Sequence, residues 1–200
     1  MLTLVIQAGG QSKRMGQDKA LLDFGGQPLI QHVSQRLLGL AAETLVTTNQ
    51  PEGYRFLDVP LVADLLPGRG ALGGLYTALS AASQPLVAVV ACDLPFASKA
   101  LLAACRDQLL AEPGLDAVIP STDQGLEPLH AVYRRATCLP AVQAAIAADR
   151  WKMIAWHGDA HVRIMSPEES TSYDPQGLAF WNVNTPTEFE SARQRLETQE

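Results

Sequence analysis

Lys13, Arg14 and Lys19 place three cations within seven positions, directly after Gly9 and Gly10 and around the small hydroxyl of Ser12. Glycines let backbone N–H groups approach a ligand without a Cβ in the way. Only Asp18 opposes the cations locally, in a chain of formal net charge −6. A cationic glycine loop in an acidic chain points to a bound polyanion, most simply a nucleotide phosphate. The spacing G-G-x-x-x-R-M-G-x-x-K is neither the P-loop nor the G-x-G-x-x-G dinucleotide fingerprint. A glycine turn with solvated basic residues has the same composition, so partners elsewhere in the chain must decide between the two.

Three further sites could supply them. Asp93 follows the apolar run Leu86 to Cys92, and a carboxylate at the end of such a strand suits a metal ion. Asp64 follows the short run Pro60 to Ala63. Asn182 and Asn184 precede Thr185-Pro186-Thr187-Glu188, which has capping-box spacing with proline at the first helical position. A glycine-rich loop over 65–74 is a second candidate for close backbone approach to a ligand, or a plain strand-to-helix connection.

The elements that would position these residues alternate. Thr3 to Ile6 reads as a buried strand, and Leu29, Val33, Leu37 and Leu40 share a helical face after Pro28. Strands are predicted over 43–48, 60–63, 86–92, 117–120, 130–133 and 162–165, with another just before the terminal helix that starts near Pro186. Helices are predicted over 75–82, 99–110 and 138–148, with Ser98 as the cap of the second. Residues 166–177 read as a surface loop. This rhythm implies an α/β fold, three-layer α/β/α and Rossmann-like, with a mainly parallel sheet. The first loop, Asp64, Asp93 and the two asparagines would then converge at the strands' carboxyl ends.

Composition narrows the setting. Two hundred residues with 47% hydrophobic content suit one domain spanning 1–200. The acidic balance argues against nucleic acid as a partner. Three scattered cysteines, Cys92, Cys105 and Cys138, do not form a disulfide framework and fit a reduced, cytoplasmic setting. No run is long enough for a membrane span, and the N-terminus lacks the charged region of a signal peptide. No Ser-His-Asp or Cys-His arrangement is visible, and the four histidines read as structural or exposed.

Taken together, QAGGQSKRMGQDK at 7–19, CDLP at 92–95 and NVNTPTEF at 182–189 resemble the molybdenum cofactor guanylyltransferases of bacteria, the MobA family. Matches at Asn49, Asp64, GALGG (70–74) and EPLHAVYRR (127–135) extend the resemblance over nearly the whole chain. It implies a nucleotidyltransferase fold and transfer of GMP from Mg·GTP to the terminal phosphate of molybdopterin, with pyrophosphate leaving. By position, Gln7, Ala8, Gly9 and Gly10 would line GTP, and Arg14 and Lys19 would neutralise its phosphates. Asn49 and Asp64 would lie on the guanosine side. Asp93 would hold Mg²⁺, and Asn182 and Asn184 would face molybdopterin. Proteins that mature molybdoenzymes are the partners the family suggests.

Three positions depart from the family pattern. Gln7 replaces the usual leucine, Ala71 a common proline, and His130 a small or apolar residue. His130 could fill the strand or contact a pterin, and Trp151 and Trp156 could stack on a pterin or belong to the core. The rival readings are a cytidylyltransferase using CTP, a sugar-phosphate nucleotidyltransferase, and a GTP-sensing module without turnover.

Overall fold

A computed structural model describes residues 1–8 and 18–198. Gly9, Gly10 and Arg14 lie outside the described residues.

The chain begins with β1 (Leu2–Gln7). It continues through α1 (Leu29–Arg36), β2 (Glu43–Thr47) and β3 (Leu61–Val62) to α2 (Gly70–Ala81) and β4 (Leu86–Ala91). Then come α3 (Lys99–Ala111), β5 (Ala117–Thr122), β6 (Gly125–Leu126), β7 (His130–Arg134) and α4 (Arg135–Ala147). The last elements are β8 (Val162–Met165), α5 (Pro167–Thr171) and α6 (Pro186–Glu197). The sheet runs in the order β3-β2-β1-β4-β7-β5-β6, with β8 also paired to β5.

Parallel pairs join β1 to β2 and β4, β2 to β3, and β5 to β8. β7 reverses the direction, pairing antiparallel with both β4 and β5. The sheet is therefore mixed but mainly parallel, in a Rossmann-like α/β arrangement.

The apolar runs explain the layers. On β4, Ala88 and Val90 face one core, with α1 residues Leu29 and Val33, α3 residues Leu101 and Leu102, and Phe189 of α6. Val87 and Val89 face the other, with Leu72 and Leu75 of α2, Val142 of α4, and Trp156. A strand buried on both faces has no polar side to show, so its sequence is continuously hydrophobic.

Four boundaries differ from expectation, each for a local reason. α2 starts at Gly70, so the GALGG stretch is helix and not loop. Gly70 takes a positive φ of 64° at the helix start, while Gly73 and Gly74 serve close packing: a Cβ on Gly74 would lie 3.0 Å from the Gln7 side-chain oxygen. α4 starts at Arg135, directly after β7. The predicted loop over 166–177 holds the short helix α5, begun by a capping box between Ser166 and Glu169. Finally, residues 181–184 are not a strand. Val183 is fully buried, and its N–H donates to Asp93 O at 3.0 Å instead of joining a ladder.

The helix caps match the sequence signals. Thr185 and Glu188 form the reciprocal capping box of α6. Ser98 Oγ accepts from Leu101 N–H at 3.2 Å at the start of α3. Ser98→Ala should destabilise the protein by about 1 kcal/mol. For a chain of this size that lowers Tm by roughly 2–4 °C, read by calorimetry.

Candidate active site

A cleft of about 360 Å³ opens along the carboxyl edge of β1 and β4. Backbone bonds fix this edge: Ala8 N–H donates to Thr47 O at 2.9 Å, and Cys92 N–H to Gln7 O at 3.0 Å. Ala91 N–H donates to Leu129 O at 2.9 Å, which ties the segment before β7 into the same edge.

At the centre stands Lys19, first residue of a 3₁₀ turn over Lys19–Leu21. Its ammonium donates to Asp93 Oδ2 at 2.9 Å and to Asn184 Oδ1 at 3.0 Å. The lysine side chain is 10% exposed and the carboxylate 23%, so the pair is largely withdrawn from solvent. Charges held this way interact more strongly than on an open surface, and they are already oriented before a ligand arrives.

Asp18 sets the lysine's position. Its Oδ1 accepts from Ala20 N–H at 3.2 Å, capping the turn, while Oδ2 accepts from the Tyr54 hydroxyl at 2.6 Å. Tyr54 is fully buried, and burial together with Asp18 raises its pKa, which keeps the phenol a donor. Tyr54→Phe should therefore cost about 1.5 kcal/mol, the worth of a hydrogen bond to a charged group, or a Tm fall of roughly 3–6 °C. A melt within 1 °C of wild type, by the usual ~1 °C precision of such scans, would show that the tyrosine does not hold the turn.

Of the expected residues, Gln7, Ala8, Lys19, Asp93, Asn182 and Asn184 all border the cleft. Asn49 and Asp64 do not. They bind one another, Asn49 Nδ2 donating to Asp64 Oδ2 at 2.8 Å and Asp64 N–H to Asn49 Oδ1 at 3.0 Å. This pair braces the ends of β2 and β3, on the far side of β1 from Asp93. Asp18, Tyr54 and Glu127 were not singled out as site residues. Asp18 is visible as the one acid among the loop's cations and Glu127 as the first residue of EPLHAVYRR, whereas Tyr54 gives no local signal.

Among the described residues, no group of three or more His, Cys, Asp or Glu side chains is placed to hold a metal ion. A cation here would be shared between Asp93 and oxygens of a bound phosphate. That donor set suits magnesium, which keeps several waters and uses one or two carboxylates.

A family model described as the MobA-like NTP transferase domain matches residues 4–162. The chain belongs to this family. The probable molybdenum cofactor guanylyltransferase of Pelotomaculum thermopropionicum is 36% identical over 191 residues, covering 96% of this chain and 91% of the relative. The molybdenum cofactor guanylyltransferase of Desulfosudis oleivorans is 31% identical over 192 residues, covering 96% and 94%. In three dimensions, molybdopterin-guanine dinucleotide biosynthesis protein A from Archaeoglobus fulgidus superposes with a TM-score of 0.82 at 24% identity, covering 98% of this chain and 99% of that one. At that identity the superposition speaks for the fold.

This MobA-like chain accommodates its unusual residues in different ways. Gln7 lays its amide against Gly74 of α2, where no Cβ intervenes. Ala71 is exposed on the first turn of α2 and borders the cleft. His130 is fully buried and accepts Ser98 N–H at 2.9 Å through Nε2, so it fills the strand and is not open to a pterin. Trp156 belongs to the core, and Trp151 lies 4.5 Å beneath the Arg69 guanidinium.

Proposed function

We propose that the protein transfers GMP from Mg·GTP to the terminal phosphate of molybdopterin, releasing pyrophosphate, within one domain spanning residues 1–200. The observation that carries this reading is the likeness to molybdenum cofactor guanylyltransferases along more than nine-tenths of both chains. The cleft supports the chemistry. A phosphate monoester is already anionic, so its attack on the α-phosphorus requires no strong base. The burden falls on alignment and on neutralising charge.

Lys19, pointed into the cleft by Asp18, would hold the nucleotide's phosphates, with Arg14 and the backbone of Gln7, Ala8, Gly9 and Gly10 around them. Asp93 would carry Mg²⁺ together with phosphate oxygens. When bound, the ion would offset negative charge on the phosphates and leaving group. Asn49 and Asp64, mutually braced, would lie toward guanosine. Asn182 and Asn184 would approach the acceptor, with Asn184 also steadying Lys19. No helix of the described residues is long and apolar enough to cross a membrane. A cytoplasmic enzyme that passes its product to molybdoenzyme maturation proteins fits that observation.

The test is pyrophosphate release with GTP and CTP side by side, with molybdopterin present and absent. Release that needs both GTP and molybdopterin is the expected result. Preference for CTP, or release with a sugar phosphate in place of molybdopterin, would overturn it.

A further inference from the structure

One wall of the cleft carries an acid to which the reaction above gives no role. Glu127 borders the cleft beside Pro128, Leu129 and Met153. Its backbone is anchored at both ends, the N–H donating to Pro120 O at 2.8 Å and the C=O accepting from His130 N–H at 3.1 Å. The side chain is held less fully. Oε1 accepts from Thr122 Oγ1 at 3.2 Å, and no ion pair among the described residues compensates the charge. Burial pushes its pKa above the usual carboxylate value, the mark of a group short of donors.

Its place along the sheet indicates what could supply them. In the order β2-β1-β4-β7, the Asn49–Asp64 brace lies beyond β1, Lys19 and Asp93 sit at β1 and β4, and Glu127 precedes β7. A nucleotide with its base near β2 and its phosphates at Lys19 and Asp93 leaves the β7 side for the second substrate. Beside Glu127 the cleft is lined by Pro128, Leu129 and Met153, an apolar stretch next to one carboxylate acceptor. A heteroaromatic ring whose edge presents two adjacent N–H donors matches it.

We propose that Glu127 recognises the 2-amino-4-oxopyrimidine edge of the acceptor. Its two oxygens accept from the ring N–H and the exocyclic amino group, while the ring lies against Pro128, Leu129 and Met153. The inference rests on the pterin acceptor proposed above. Guanine presents the same donor pair, so the experiment separates the two sources.

The measurement compares wild type with Glu127→Gln, which keeps the side chain's size. Loss of a charge-assisted contact should raise KM for molybdopterin about 10- to 100-fold and leave KM for GTP within about twofold. Free pterin should compete with molybdopterin, and lumazine, with an oxo group in place of the amino group, should compete about tenfold less well. Glu127→Gln should erase that difference. Glu127→Asp, which withdraws the carboxylate by one methylene, should fall between the two, and unchanged GTP kinetics report an intact fold.

Unchanged acceptor KM together with retained pterin-over-lumazine preference would overturn the proposal. So would a defect that appears in KM for GTP and in the preference for GTP over ITP, because the carboxylate would then read guanine. If wild type releases no pyrophosphate from GTP and molybdopterin, guanylyl transfer itself fails. Fluorescence titration of the free protein with pterin and lumazine still decides the role of Glu127 in that case.

Discussion

Lys19→Ala is expected to lower kcat/KM for pyrophosphate release by about 10²–10³-fold, equivalent to roughly 3–4 kcal/mol of transition-state stabilisation. The ammonium bridges Asp93 and Asn184, and the Lys19–Asp93 pair is largely withdrawn from solvent. Its charge is preorganised, so substrate need not reorient it. The variant should fold, because the polar end of the side chain meets site groups and not the core. Truncation also leaves Asp93 without its counter-charge, which disturbs the proposed metal ligand as well. A cycle of Lys19→Ala, Asp93→Asn and the double variant separates these contributions. Strong coupling is expected, with the double variant losing much less than the sum of the single losses. Near-normal turnover of Lys19→Ala would remove this lysine from the chemistry.

The second large effect concerns acid stability. His130 is fully buried, and burial pushes its pKa down to about 4. Its Nε2 accepts Ser98 N–H at 2.9 Å, so the folded protein needs the imidazole neutral. An unfolded chain would protonate it near pH 6.5. The stability associated with the neutral ring is fully present above pH 6.5 and declines as pH falls toward 4, where about 3 kcal/mol is lost. Glu and Asp residues add their own acid dependence, so the comparison is with His130→Gln, whose amide oxygen can still accept from Ser98. Urea unfolding at pH 7, 5.5 and 4 should show wild type losing about 3 kcal/mol more than the variant. Parallel losses would mean that His130 is not the acid-sensitive group.

Much of the site was legible because chain order and spatial order agree in a parallel sheet. β1 and β4 each deliver a loop to the same edge, so Gln7, Lys19 and Asp93 can be placed from their positions after apolar runs, whereas Asp64, after β3, lies outside the cleft. Chain order and spatial order part where the strand direction reverses. Since β7 runs antiparallel to β4, the residues before it, and not those after it, reach the cleft. Glu127 is therefore visible only as the first residue of the EPLHAVYRR stretch, with nothing local to bring it to the cleft. Asn182 and Asn184 were placed at the correct edge for the wrong reason. They reach it through the Val183 to Asp93 backbone bond, a long-range contact that no local pattern encodes. Tyr54 shows the same limit, because its partner Asp18 is 36 positions away in the chain. The glycines of 70–74 show another limit, since Gly70 supplies a positive φ and Gly73 and Gly74 close packing, and the two uses look identical in a string of letters.

The bond from Val183 to Asp93, and the contact from Asn184 to Lys19, also bear on the order of synthesis. Among the described residues every sheet strand lies before residue 166, and the matched family segment ends at 162. During translation, the layered core has all its strands before the asparagine that clasps Lys19 leaves the ribosome. Until then Lys19 and Asp93 face each other without their third partner, and the proposed phosphate-binding geometry is incomplete. The architecture thus makes the complete proposed site one of the last features a nascent molecule acquires, together with the core contacts of Val183, Phe189 and Ala192.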